Sequence, residues 1–436
     1  GEGEDPLLQG CRLAAQEIQD ADALLLCTGA GFSADSGLAV YKDIAQVPAY
    51  ADRRLKYHDI CDPCWLEDEP SLFYGFWGAC FNDYRSTQPH RGYSIVGNWV
   101  DRKFRNSDVA RSIQQRLEMQ KREACTNEPY VCDRHAGAFF VFTSNVDAHS
   151  FDHFNACEVR ECHGNTELWQ CSEPCCERIW RAPLDLTFTV DMVTMEAAAG
   201  AASSISVPSH AQDTHELPRV GRVKYSERVS MLRGWPPPDT DPNIQEAFQK
   251  SNRPSCPNCQ KLARPAILMF GDCRWVDNDA QEDRYNAWLK AVEQEAEARI
   301  PRENDNVARP LKVCILEIGS GKNVPTVRRN SQSVAQRLND KGADCVLVRI
   351  NPDFPGADGY QPARMLSLKA RGLHCLDLID KAMAPALALL SGHVNTDVEQ
   401  SWDSTRMSAV YNWPWQRLWQ HLCNIASTFR RYLSPP

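Results

Sequence analysis

The stretch Ala23-Leu24-Leu25-Leu26-Cys27-Thr28-Gly29-Ala30-Gly31-Phe32-Ser33-Ala34 carries the fold. Its first half is an apolar run that stops abruptly on glycine, the pattern of a buried strand feeding a loop. The second half fits G-x-G-x-x-G/A directly after that strand. Glycines in such a turn let the backbone approach a pyrophosphate, while free amides and a helix dipole favour its negative charge. The same turn also serves as a plain strand-to-helix connection. No clear acidic residue closes a second strand about 20 residues on, where an ordinary dehydrogenase needs one for the ribose.

Three further runs end in the same way. Phe139–Thr143 leads into Ser144-Asn145-Val146-Asp147, Val313–Ile318 into Gly319-Ser320-Gly321, and Cys345–Ile350 into Asn351-Pro352-Asp353. Helix-compatible stretches such as Leu13–Ile18 and Val327–Leu338 alternate with them. Strands alternating with helices predict an α/β fold with a doubly wound, parallel, Rossmann-like sheet whose ligands sit outside the carboxyl ends of the strands. The four polar tips are therefore expected to converge. Asn145 and Asp147, two residues apart in extended chain, are expected to face one side of that cleft; capping of a following helix is the plainer use of both.

Composition narrows the function. The 436 residues carry 48 basic and 57 acidic side chains, a formal net charge of −9, and 43% are hydrophobic. That is ample for a large core, and disorder throughout is excluded. Backbone binding to nucleic acid depends on clustered Lys and Arg, so an acidic chain suits a cationic peptide better. No stretch reaches the ~18–20 apolar residues that span a bilayer, and the longest, Ala382–Leu390, is broken by Pro385. The opening Gly1-Glu2-Gly3-Glu4-Asp5 has no apolar leader, and 19 cysteines, an odd number, leave at least one thiol unpaired within the chain. A reducing compartment, cytoplasm or nucleus, is the expectation, and there tight cysteine pairs more often hold metal.

Cys171-Ser-Glu-Pro-Cys175-Cys176 and Cys256-Pro-Asn-Cys259 are two such pairs. Two short hooks supply the four thiolates of a closed, structural zinc site and staple a module with little core of its own. Cys175 and Cys176 compete for one position. Cys61-Asp-Pro-Cys64 has no partner pair and reads as two ordinary thiols. The expected organisation is a discontinuous sheet domain over 11–60, 130–165 and 310–385, a helical insertion over 61–129, and a smaller zinc-binding module over 166–275 carrying a flexible insertion at about 182–250. A charged helical connector over 276–309, with Tyr285, Trp288, Leu289 and Val292 on one face, and a Trp-rich extension over 386–436 complete it.

These residues together resemble the sirtuins, the NAD-dependent protein deacylases. Thr28-Gly-Ala-Gly-Phe-Ser-Ala-Asp-Ser-Gly-Leu38 is similar to the family's first signature and Thr143-Ser-Asn-Val-Asp147 to its T-Q-N-I-D segment. Cys162-His163-Gly164, the paired cysteines, Arg264-Pro-Ala-Ile-Leu-Met-Phe-Gly-Asp272 in place of R-P-x-V-V-x-F-G-E, Gly319-Ser320 and Ile350-Asn351 follow in the family's order. Glu317–Arg328 and Ala263–Asp272 look closest to a bacterial-type branch, and the matching segments spread from about residue 22 to residue 380.

The resemblance implies transfer of the ADP-ribose of NAD to the oxygen of an acyl-lysine, with release of nicotinamide and an O-acyl-ADP-ribose. It implies His163 as general base, with an ordinary imidazole pKa near 6.5 suiting it to neutral pH, and Asn145 beside it. Gly29, Ala30, Gly31, Ser33, Tyr41, Lys42, Ser144, Asn145, Asp147, Gly319, Ser320 and Asn351 would contact NAD. Ile267, Met269, Phe270 and Gly271 would offer a strand edge to an acyl-lysine peptide. Cys175, by the spacing of that branch, would join Cys171, Cys256 and Cys259 on zinc. The chain departs from the family where P-D-F-R becomes Ala39-Val40-Tyr41-Lys42 and where Ser144 replaces Gln. Lys lacks the planar fork of Arg. An ADP-ribosyltransferase or NAD hydrolase on the same fold is one rival expectation, and Val40, Lys42 and Ser144 motivate another, a catalytically weak NAD-binding interaction module.

Overall fold

The computed structural model describes residues 5–40, 43, 46–123, 136–183, 186–200, 203–204, 242–249, 251–300, 309–359 and 364–391. Tyr41, Lys42, the run Trp235–Asp239 and the Trp-rich segment from residue 392 onward lie outside them. One compact unit runs to Ala384 and holds every described strand; of the second, Pro385–Pro436, the end of one helix, to Ser391, is described.

Six strands form the main sheet: β1 (Ala23–Thr28), β2 (Phe139–Thr143), β3 (Val159–Glu161), β9 (Lys312–Ile318), β10 (Asp344–Ile350) and β11 (Met365–Leu368). Between β3 and β9 come β4 (Gly164–Cys171), β5 (Trp180–Arg181), β6 (Leu186–Thr187), β7 (Ser203–Ser204) and β8 (Ala263–Ile267). The order across the main sheet is β11-β10-β9-β1-β2-β3, and every neighbouring pair is parallel. The chain thus starts in the middle, builds outward to β3, and returns to the other side of β1 at β9. The order reverses between β1 and β9, which opens a crevice at their carboxyl ends. All of β1 and β2 and the last six residues of β9 and of β10 are buried, as a parallel sheet covered on both faces requires.

Among the described residues, eight helices of eight or more residues accompany the strands: α1 (Pro6–Asp20), α2 (Pro70–Ser86), α3 (Arg91–Trp99), α4 (Asp108–Glu123), α5 (Pro242–Gln249), α6 (Asp279–Ala298), α7 (Thr326–Asp340) and α8 (Gly372–Ser391). α1 begins on Pro6, with Asp5 accepting from the Leu7 N–H at 2.9 Å, and buries Cys11, Ala14, Ala15 and Ile18 along one stripe. α6 is more than a charged connector. Its Tyr285 and Trp288 pack on Phe140 of β2 with ring centroids 5.4 Å apart in both pairs, and Trp288 Nε1 donates to the Gly137 carbonyl at 2.9 Å. Edge strands β3 and β11, of three and four residues, are too short to announce themselves in the sequence.

β4 pairs antiparallel with β8 and β5 in a second, three-stranded sheet. Only Cys162 and His163 separate β3 from β4, so the two sheets meet at His163. Arg85 of α2 grips Glu167 of β4 through two hydrogen bonds of 2.9 and 2.7 Å, fixing the smaller sheet against the helical layer. Among the described residues no helix is long and apolar enough to cross a membrane.

Charges are buried inside the main sheet. Glu317 of β9 and Arg349 of β10 are register partners, fully buried, with Arg349 Nε 2.7 Å from Glu317 Oε1 and Nη2 donating to Oε2 at 2.9 Å. Ser320 and Ser331 hydroxyls donate to the same carboxylate, and Arg328 Nη1 lies 3.8 Å from it. Removing the carboxylate would leave Arg349, fully buried, with Asp358 at 3.5 Å as its remaining counter-charge. Glu317→Ala is therefore expected to destabilise the fold by about 3–5 kcal/mol, read as a lowered urea midpoint at unchanged slope.

Candidate functional site

The crevice floor is made by two loop tips in backbone contact. Gly29 N–H donates to Ile318 O at 3.0 Å, Gly31 N–H to Gly319 O at 2.9 Å, and Gly319 N–H to Ile350 O at 3.0 Å. Gly319 has φ +68°, and a Cβ there would lie 2.4 Å from the Phe32 nitrogen. A Cβ on Gly31 would come within 2.7 Å of the Gly319 Cα, and one on Gly29 within 2.7 Å of the Ser320 Cα. No side chain fits at these places, so the tips interlock through glycine alone. The expected helix after Gly29 is a single turn, Ala30–Ser33. It is too short for the macrodipole of a full helix, and the cradle rests on backbone shape.

Ser320 and Asn351 are committed within the protein. Asn351 Nδ2 donates to Ser320 O at 2.8 Å, and its Oδ1 accepts from the Asp353 and Phe354 N–H groups at 2.9 and 2.8 Å. Arg328 ties the same loops from below, donating to the Ser320 and Phe354 carbonyls at 3.1 Å each. These bonds shape the loops around the tips of β9 and β10.

The tips of β1 and β2 are joined by Thr28 Oγ1 donating to Thr143 Oγ1 at 2.7 Å, with Ser144 N–H on Thr28 O at 3.1 Å. Asp147 accepts from the Ser33 hydroxyl and from the His149 N–H at 2.8 Å, so the glycine turn is latched to the second tip. Asn145 differs. Its N–H donates to Thr143 Oγ1 at 3.1 Å, but both ends of its carboxamide are buried without a partner among the described residues, in a residue 8% exposed. Buried amides are nearly always hydrogen-bonded, and this one has its donor and acceptor free for a polar ligand.

His163 sits at the joint of the two sheets. Gly164 makes the joint possible, with φ +70° and a place for Cβ only 1.8 Å from the Ala266 carbonyl oxygen. The His163 carbonyl accepts from the Leu268 N–H at 3.1 Å, and Nε2 lies 3.2 Å from Thr326 Oγ1. Burial, and then the nearby Arg160 guanidinium, push the imidazole down to about 4; Asp277, which pairs with Arg160 at 2.6 Å, opposes this. The ring is thus more weakly basic than the ordinary value near 6.5 suggested, and neutral throughout the physiological range.

The strand edge beyond β8 starts beside His163. Ile267 and Met269 point inward and are buried, while Leu268 and Phe270 are 37% and 36% exposed. Phe270 N–H donates to Cys61 O at 2.9 Å, its ring meets Tyr57 and His58 edge-on, and Gly271 turns the chain at φ +68°. A buried Arg264–Asp272 pair, 2.6 Å apart, closes the segment.

His90 belongs to the site and has no spacing signal in the sequence. Its Nδ1 accepts from the Gly92 N–H at 3.0 Å, so Nε2 carries the proton and donates to Phe32 O at 2.9 Å. Burial lowers its pKa and keeps it neutral. Glu317 and Arg349 were also not singled out, although a charge inside each of two apolar runs was the visible sign.

The ligand atoms of Cys171, Cys175, Cys256 and Cys259 all lie within 4.8 Å of one another, and Cys176 is outside the group. Four thiol sulfurs from two hooks match the donor set of structural zinc, which these residues could hold. Cys61 is a buried thiol and Cys64 an exposed one, neither within the cluster.

No family model matches the chain. Over 90 residues it is 29% identical to an NAD-dependent protein deacylase of Deinococcus radiodurans, a match covering 21% of this chain and 35% of that one. It thus spans about a third of the length of that curated relative. Among solved structures, this chain aligns with a Sir2 homologue in complex with NAD at 14% identity and TM-score 0.46, covering 89% of this chain and 96% of the other. Sir2 bound to an acetylated peptide aligns at 13% identity and TM-score 0.42, with 86% and 98% covered.

Elemental analysis of the purified chain is expected to find one zinc ion per molecule. Cys175→Ser should lose it and unfold on mild heating, whereas Cys176→Ser should retain it.

Proposed function

We propose that the chain is an NAD-dependent protein-lysine deacylase. What supports this reading is the crevice at the carboxyl ends of β1 and β9, floored by a glycine-only backbone cradle, with the unpartnered carboxamide of Asn145 following β2 and the imidazole of His163 at the joint of the two sheets. NAD supplies an electrophilic sugar carbon, from which nicotinamide departs as the acyl oxygen of lysine bonds to it. Everything else is done by the chain.

Gly29, Gly31 and Gly319 give the pyrophosphate a close approach to backbone that any side chain would block. Asn145 offers one donor and one acceptor, the complement of a primary amide or of neighbouring sugar hydroxyls. Asp147 and Ser33 hold the turn closed over that face. An amide oxygen is a poor nucleophile, so the main contribution is to hold it against the sugar and keep water out. His163, neutral and partly desolvated, then takes a proton from a ribose hydroxyl. The exposed edge at Leu268 and Phe270 leads away from His163 and suits an extended peptide adding as a strand, with the acyl-lysine stem directed inward past the buried Ile267 and Met269. The net charge of −9 favours a basic peptide. Zinc on the four cysteines would act as a structural staple, since four protein ligands leave no place for a reactive water. The odd number of cysteines and the two close cysteine hooks favour a reducing compartment, the cytoplasm or nucleus.

Incubation with NAD and an acetyl-lysine peptide tests the reading. Deacetylation coupled one-to-one to nicotinamide release is expected; nicotinamide release without peptide would mark an NAD hydrolase, and calorimetric binding without turnover a binding module. His163→Ala should remove deacylation while leaving NAD affinity within a few-fold. The base works only unprotonated, so the acidic limb of kcat/KM should fall near pH 4, where His163 gains its proton, and not near 6.5.

A further inference from the structure

We propose that Thr326 is a positioning residue for His163: its hydroxyl, 3.2 Å from Nε2, sets the orientation of the imidazole. This rests on His163 being the base of the proposed deacylase.

Thr326 is the first residue of α7, yet it does not cap it. The N-cap position is Pro325, no side chain caps the helix, and the first-turn bond runs from Arg329 N–H to Pro325 O at 2.8 Å. The hydroxyl is thereby available to the ring. It reaches the ring from the opposite flank of the crevice. Thr326 ends the loop that leaves β9 at Gly319, whereas His163 follows β3, and β1 and β2 lie between those strands in the sheet. One hydrogen bond therefore joins the cofactor-side loop to the imidazole.

A neutral imidazole has one N–H and one lone pair, and a hydroxyl bonds Nε2 in either form, donating to the lone pair or accepting from the N–H, so the contact fixes which way the ring faces and which surroundings each nitrogen meets. A hydroxyl does this without adding charge. The charged groups that act on the ring are Arg160 on β3 and Asp277 ahead of α6, and Arg160 is itself held by Asp277 and by Glu282 of α6 at 3.2 Å. Those charges bias the protonation of the ring as a whole, while Thr326 fixes its orientation. With that bond lost, the ring can rotate and exchange tautomers, and only a fraction of molecules present the basic nitrogen to the sugar hydroxyl.

Long-range 15N spectra of the imidazoles in the full chain test this without any cofactor, His163 being assigned by its disappearance in His163→Gln. The native chain and Thr326→Ser are expected to show one dominant neutral tautomer for His163. Thr326→Val should show averaged nitrogen shifts and a displaced titration midpoint, with the other histidines unchanged. In the deacylation assay, Thr326→Val should lower kcat about tenfold with KM for NAD within about twofold, and Thr326→Ser should restore kcat. An unaltered nitrogen pattern and titration in Thr326→Val would overturn the proposal. A chain inactive as a deacylase would defeat the functional reading while leaving the spectra to judge the Thr326–His163 pair.

Discussion

The contact between the first and fourth strands' loop tips governs the rest. Gly31 donates to Gly319 across the point where strand order reverses, at 2.9 Å, with backbone atoms so close that a single Cβ on either side would collide. A parallel sheet splits its crossover helices to opposite faces at such a point and leaves a gap at the carboxyl edge. Here the gap is floored by peptide groups in place of side chains. That makes the floor polar and leaves no room in it for a side chain.

The shape of that floor depends on charges placed where charges are usually costly. Glu317 and Arg349 occupy adjacent positions of two buried strands, and the carboxylate collects two hydroxyls as well as the guanidinium. Arg328 extends the cluster to the carbonyls of Ser320, Phe354 and Gly356. A buried pair of this kind adds little net stability compared with apolar residues of the same size, but its geometry is directional. It orients the two loops that an apolar core would leave free to slide. Ser320 and Asn351 belong to the same framework, shaping the crevice through internal bonds.

Much of this was legible in the chain. Four apolar runs ending in Gly, Ser or Asn marked four of the six parallel strands nearly to the residue, because a strand buried on both faces must be apolar throughout. The paired cysteines marked the hooks for the same kind of reason, since a tetrahedral cluster needs two short turns. β3 and β11 escaped notice because a three- or four-residue edge strand owes its place to its neighbour's hydrogen bonds more than to its own composition. His90 escaped because its role comes from Phe32 and Gly92 meeting it in space.

What the sequence by itself determined is the alternation of strand and helix, the positions of the glycine turns and the identity of the metal hooks, all of which are written in patterns a few residues long. Only the tertiary structure decided which polar groups are left over. Ser33 and Asp147 satisfy each other, Asn351 satisfies its own loop, and the carboxamide of Asn145 has no partner among the described residues; the imidazole of His163 is held neutral by burial and by Arg160. Burial and hydrogen-bond pairing are sums over neighbours far apart along the chain, so no local pattern can contain them.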